Sequence, residues 1–330
     1  MTVIQTPPRV SRYLTKAWTS NQGLTALVVF SLLLIVFSSL GLLFDPRSTE
    51  FLGTPAWAKT FKFSVSTLFY GMGLIWLLDL AKNRLATRLG GMIGWILVFE
   101  LGLLVIQGAR ATPMHFNYSS PLNTALWMVM TVGIGMMLFG FVVLVVQVWR
   151  NLRLEPVLAW GIRLGLLVTA IGLAQGNLMA VPNTVQLEAL TAGKTLAMLG
   201  AHTVGSSSLT PDNGAGLPLL GWSTTHGDLR IGHFVGIHAL QIIPLLGLWL
   251  TKRREPWLKQ GHRLWLLFIG AFAYAGLMFL VTWQALRGQP LISPDTQTLM
   301  TLGMLVATAL FSSLLVMVIA KRGVADGNNF

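Results

Sequence analysis

Eight stretches of this chain run for about 20 residues or more with few charges, the length an α-helix needs to cross roughly 30 Å of hydrocarbon. They lie at about 24–44, 61–80, 89–109, 122–148, 157–180, 231–250, 264–286 and 298–320. In lipid a backbone must satisfy its own N–H and C=O groups, so eight such runs predict an all-α polytopic membrane bundle. The first run begins well inside the chain and has no small-residue cleavage site after it. It therefore reads as a spanning helix and not as a removable signal peptide. Of 330 residues, 54% are hydrophobic and only 10% charged, where soluble domains carry about a quarter charged.

The cations orient the bundle. Fifteen fall on one side: Arg9, Arg12, Lys16, Lys82, Arg84, Arg88, Arg150, Arg153, Lys252, Arg253, Arg254, Lys259, Arg263, Lys321 and Arg322. Seven fall on the other, namely Arg47, Lys59, Lys62, Arg110, Lys194, Arg230 and Arg287, and Arg163 lies inside the fifth segment. The positive-inside rule places the richer side, and with it both termini, in the cytoplasm. The net charge of +12 is thus a topology signal, and nucleic acid is not an expected partner; the lipid bilayer is. The chain has no cysteine, which excludes disulfides, cysteine-held iron–sulfur clusters and thiol catalysis.

Two short motifs recur. The third segment ends in QGARATP (107–113) and the seventh in QALRGQP (284–290), both Q-x-x-R-x-x-P. The second segment is entered by KTFKF (59–63) and the sixth by RIGHF (230–234). Matches at corresponding ends predict two parallel four-helix repeats, residues 1–150 and 151–330. The halves differ at the link 181–230, which contains the loop-forming GSSSLTPDNGAGLPLLGW (205–222). GKTLAMLGAHTVG (193–205) reads as a short interfacial or re-entrant helix, and the link as a lid on the outer face.

The sixth segment concentrates polar groups. Arg230, His233, His238 and Gln241 fall within an arc of about 140° on a helical wheel. Polar groups at such depth face a bundle interior or a water-filled cavity, which predicts an outward-facing recess. Glu100 and Gln107, seven residues apart on the third segment, share a face. Glu100 and His238 lie at similar depths, and a contact between them would serve proton handling. Arg230, Lys62 and Arg110, with Gln107 and Gln241, are the expected ligands of a small anion. Snorkelling to headgroups accounts for Lys59 and Arg287. Asp228 is expected to pair with Arg230 or to cap the sixth helix.

A metal or haem reading is the alternative. His233 and His238 lie on one helix, five residues apart, and cannot clamp one haem iron between them. A second ligand would come from His115, His202 or His226, or those histidines would gather with His233 around copper or zinc. No HxxxH or HExxH spacing supports this. There is also no phosphate loop, GxSxG elbow or dinucleotide turn.

KFSVSTLFYGMGLIWLL (62–78) and GDLRIGHFVGIHALQIIPLL (227–246) resemble a group of bacterial integral membrane proteins with a Lys-Phe-entered second helix and a GDLR…HFxGxHALQ segment. The resemblance implies a multi-pass protein of the bacterial cytoplasmic membrane and carries no activity with it. The leading functional expectation is a permease or binding protein for a small anionic solute, proton-coupled through His238 and Glu100. The rivals are a membrane oxidoreductase holding haem b or copper at the outer face, and a non-catalytic assembly or sensory partner.

Overall fold

The computed structural model describes residues 19–218, 220–253 and 255–325. Arg9, Arg12, Lys16 and Arg254, counted above in the charge asymmetry, lie outside the described residues. All eight expected spans form as helices: α1 Gln22–Phe44, α2 Ala58–Ala81, α3 Arg84–Ala109, α4 Pro121–Asn151, α5 Pro156–Gln175, α7 Leu229–Thr251, α8 Gln260–Leu286 and α9 Thr296–Ala325. A ninth helix, the short α6 (Thr184–Thr191), and a two-residue antiparallel pair, β1 Thr203–Val204 with β2 Gly227–Asp228, lie in the long link.

Local chemistry sets the boundaries. Asn83 and Ser120 each accept from the backbone N–H three residues on, Oδ1 from Ala86 at 2.9 Å and Oγ from Asn123 at 3.2 Å. Pro121 and Pro156 stand at first helical positions, where a missing N–H costs nothing. Glu155 caps α5 by accepting from Leu158 N at 3.1 Å.

Small residues let the spans approach. A Cβ on Gly23 of α1 would lie 2.0 Å from the Gly91 carbonyl oxygen of α3, and one on Gly94 would lie 2.3 Å from the Gly23 carbonyl carbon. Between α5 and α7, Gly172 meets Gly236 in the same way, and Gly165 makes room for the ring of Pro244. Close backbone contact is how membrane helices gain packing energy where lipid offers no hydrophobic drive.

Within the first half, α1 packs on α2 and α3, α2 on α3, and α3 on α4; within the second, α5 packs on α7 and α8, α7 on α8, and α8 on α9. The halves meet through α4 with α5 and α2 with α7. The two Q-x-x-R-x-x-P turns are also alike. Gln107 Nε2 donates to the Pro113 carbonyl (3.3 Å) and Gln284 Nε2 to the Pro290 carbonyl (2.8 Å). Ala111 and Gly288, each four residues after the glutamine, have φ of 50° and 72°.

One expected element is different. Residues 193–205 are not helical: α6 ends before Gly193, and Gly193, Gly200 and Gly205 take φ of 75°, 104° and 91°. Left-handed positions of that kind break a helix and suit glycine. The segment instead runs extended across the helix ends, bridging Asn117 at Met198 and pairing in β1.

Candidate functional site

The link between α5 and α7 folds into a cap over one end of the bundle. Asn183 and Gln186 form a capping box at α6. Gln186, fully buried, then donates to the carbonyls of Met198 (3.3 Å), Gly200 (3.4 Å) and Leu209 (3.1 Å) and accepts from Gly200 N. One side chain thus ties α6 to two other segments of the cap. Backbone bonds dock the cap on the bundle: Tyr118 N to Ala197 O (2.8 Å), Leu199 N to Phe116 O (2.9 Å) and Leu229 N to His202 O (2.9 Å). Gly205 lies against Gly288, and a Cβ on Gly227 would fall 1.9 Å from the Ala285 carbonyl oxygen.

Two of the three cations expected to bind solute hold the cap. Lys62 Nζ donates to the Leu220 carbonyl at 2.7 Å, and Arg230 Nη2 to the Gly221 carbonyl at 2.6 Å. Arg230 also pairs with fully buried Asp228, which accepts from Arg230 N (3.0 Å) and Ser223 N (2.8 Å). Asp228 therefore does both things expected of it, pairing and capping. Arg110 Nη1 donates to Asn123 Oδ1 (2.9 Å) and to Gln107 Oε1, closing a network within its own turn.

Beneath the cap lies a small cavity of about 40 Å³, walled in part by Lys59, Gln107, His115, His202 and Asp212. Such a volume holds about three waters. Asp212 is held by the N–H groups of His202 and Thr203, by Thr203 Oγ1 (2.7 Å) and by His202 Nδ1 (2.6 Å). Burial alone would raise its carboxyl, but the His202 ring and these donors hold it well below the usual carboxylate range. Burial lowers His202 despite Asp212, so its ring is neutral near pH 7. A neutral ring donating from Nδ1 to a carboxylate leaves its lone pair on Nε2. His115 stands beside it, ring centroids 6.2 Å apart, between Phe63, Phe116 and Trp127. Burial takes His115 well below the ordinary imidazole value.

Lys59 completes the wall. Its ammonium lies 5.9 Å from the Phe63 ring centroid and makes no hydrogen bond or ion pair among the described residues. Of the seven outer cations only Lys59 and the exposed Lys194 have no side-chain hydrogen bond or ion pair among the described residues, and of the two only Lys59 lines the cavity. Sequence patterning cannot single it out, because which cation is left depends on where the cap's carbonyls land. Asp212 was equally hidden in a Pro-Asp-Asn-Gly turn, and Gln186 was signalled only by the N-x-x-Q capping pattern.

The remaining expected residues are dispersed. His233 Nδ1 is 2.7 Å from the Gly172 carbonyl of α5, and Gln241 Nε2 donates to the Phe69 carbonyl of α2 at 3.1 Å. His238 stacks on Phe234, centroids 6.5 Å apart. The expected Glu100–His238 contact is not made: neither carboxylate oxygen of Glu100 has a hydrogen-bond partner. The reason is helical neighbourhood, since Glu100 turns toward Gly133 of α4 while α7 packs on α5, α8 and α2. Nor do the loop histidines assemble a copper or zinc centre. His226 is half-buried and engages Thr225 Oγ1, and among the described residues no three His, Asp or Glu side chains converge at metal-binding spacing.

Comparison with known proteins returns no matching family model, curated protein or solved structure. The protein is an integral membrane protein of eight spanning helices with a folded cap on one end.

Proposed function

We propose that the cavity beneath the cap is the receptor site of a binding protein or permease for a small oxyanion. The observation that carries this is Lys59: an ammonium with no hydrogen bond or ion pair among the described residues, lining the same small cavity as His202, whose Nε2 keeps its lone pair. A cation and an acceptor side by side suit an anion that bears one hydrogen, such as bicarbonate or hydrogen phosphate. Its charge meets Lys59 while its hydroxyl donates to His202. The cap closes the cavity to anything larger, and opening requires release of the Lys62 and Arg230 clamps. The same reading puts the cap on the extracytoplasmic side of a bacterial inner membrane, following the charge asymmetry. The matching packing order of the halves and their matching Gln–Pro turns support an origin by duplication.

Thermal melting of the purified protein in mild detergent, with bicarbonate, phosphate, formate or chloride, tests the reading. A ligand at about 100 times its Kd stabilises by about 2.7 kcal/mol, a rise on the order of 5 °C. The rise is expected for a hydrogen-bearing oxyanion, and Lys59→Met should abolish it. If no anion moves the melting temperature, or Lys59→Met responds as wild type does, the site assignment fails. Uptake of the stabilising anion into liposomes then separates a permease from a receptor.

A further inference from the structure

Glu100 is 4% exposed and lies in the middle of a membrane span, with no hydrogen-bond partner for either carboxylate oxygen. It belongs to neither the cavity wall nor the cap. Its Oε1 rests where a side chain of Gly133 would be, 2.4 Å from an ideal Cβ there. Gly133 in turn forms part of a groove of about 520 Å³ between α3 and α4, with Trp95, Phe99, Met128, Val132 and Met136. A side chain at residue 133 would displace the carboxyl, and Ile96 and Phe99, which flank Glu100 on α3, line the same groove as Gly133. Trp95 and Phe99 are 51% and 53% exposed on the membrane-facing side.

We propose that this groove is a binding site for a lipid-soluble organic cation. Its apolar body would lie on Phe99, Met128, Val132 and Met136, its charge would face the indole of Trp95, and the carboxylate of Glu100 would supply the counter-charge beside Gly133. A buried acid without a donor is costly as an anion in hydrocarbon, and a cation arriving from the lipid supplies what is missing. Aromatic faces favour organic cations through their ring quadrupoles, and methionine adapts to irregular shapes. An anionic or neutral amphiphile gains nothing from the carboxylate, so the charge of the occupant follows from Glu100.

Binding of radiolabelled tetraphenylphosphonium to the full chain in nanodiscs, corrected with empty discs, tests this. One saturable site is expected, competed far less well by neutral triphenylphosphine oxide. Glu100→Gln, nearly identical in shape, should weaken binding at least tenfold. Trp95→Ala, a change on the lipid-facing surface that leaves the packing alone, should weaken it severalfold. Lys59→Met should leave it unchanged, which separates this site from the one under the cap. Unaltered binding in a folded Glu100→Gln protein, or equal competition by the phosphine oxide, would overturn the proposal.

Discussion

At the scale of single residues, the site is organised by two buried aspartates with different duties. Asp228 holds Arg230 and the cap's last turn, while Asp212 fixes the tautomer of His202. The histidines then make the cap sensitive to acid. His115 and His202 sit below their ordinary value of 6.5 in the folded protein, so above that pH both states are neutral and stability is complete. As pH falls through 6.5 the unfolded chain takes up protons that the folded cap refuses, at a cost of up to about 1.4 kcal/mol per pH unit for each ring. Asp212, held below its ordinary 3.8, adds its own loss only in stronger acid. The melting temperature should therefore decline from pH 7 to pH 5, and more gently in His115→Gln. A flat profile would contradict neutral burial of these rings. The Asp228–Arg230 pair was legible because its partners are two residues apart. The His202–Asp212 pair is ten residues apart across a serine-rich loop with no periodic pattern to reveal it.

At the scale of elements, helix and span boundaries were readable because hydrocarbon thickness, caps and prolines act locally. The failed expectation at 193–205 has the same cause in reverse. Its apolar content resembles a helix, but three glycines in left-handed conformations serve docking on the helix ends instead. Neighbour choice between spans was not readable, since every face of a lipid-facing helix is apolar. The glycine contacts reveal it only in three dimensions. Gly94→Ala places a methyl carbon on the α1 backbone and should destabilise by about 1–3 kcal/mol. Gly102→Ala on the same helix meets nothing within 4 Å and should be neutral or stabilising, by up to about 1 kcal/mol from helix propensity. Chemical denaturation in detergent would compare the two; equal effects would mean that the α1–α3 approach is not a determinant of stability.

At the scale of the molecule, orientation can be read out directly because the chain carries no native cysteine. Ser207→Cys, exposed on the cap, should react in intact cells with a membrane-impermeant maleimide, and Asn151→Cys, exposed at the opposite end, only after permeabilisation. The reverse pattern would invert the topology drawn from the charges. The two Gln–Pro turns do different work. The first closes on Arg110 and Asn123, whereas the second is the seat on which Gly205 of the cap rests. The final span contributes to neither. None of the most apolar window of α9 is buried, and the helix leans on α8. Every residue that walls the cavity, pins the cap or faces the groove beside Glu100 is encoded before residue 289. Synthesis runs from the N-terminus, so both proposed sites can be complete while α9 is still inside the ribosome, and the last span is added to a molecule whose cavity and groove are already built.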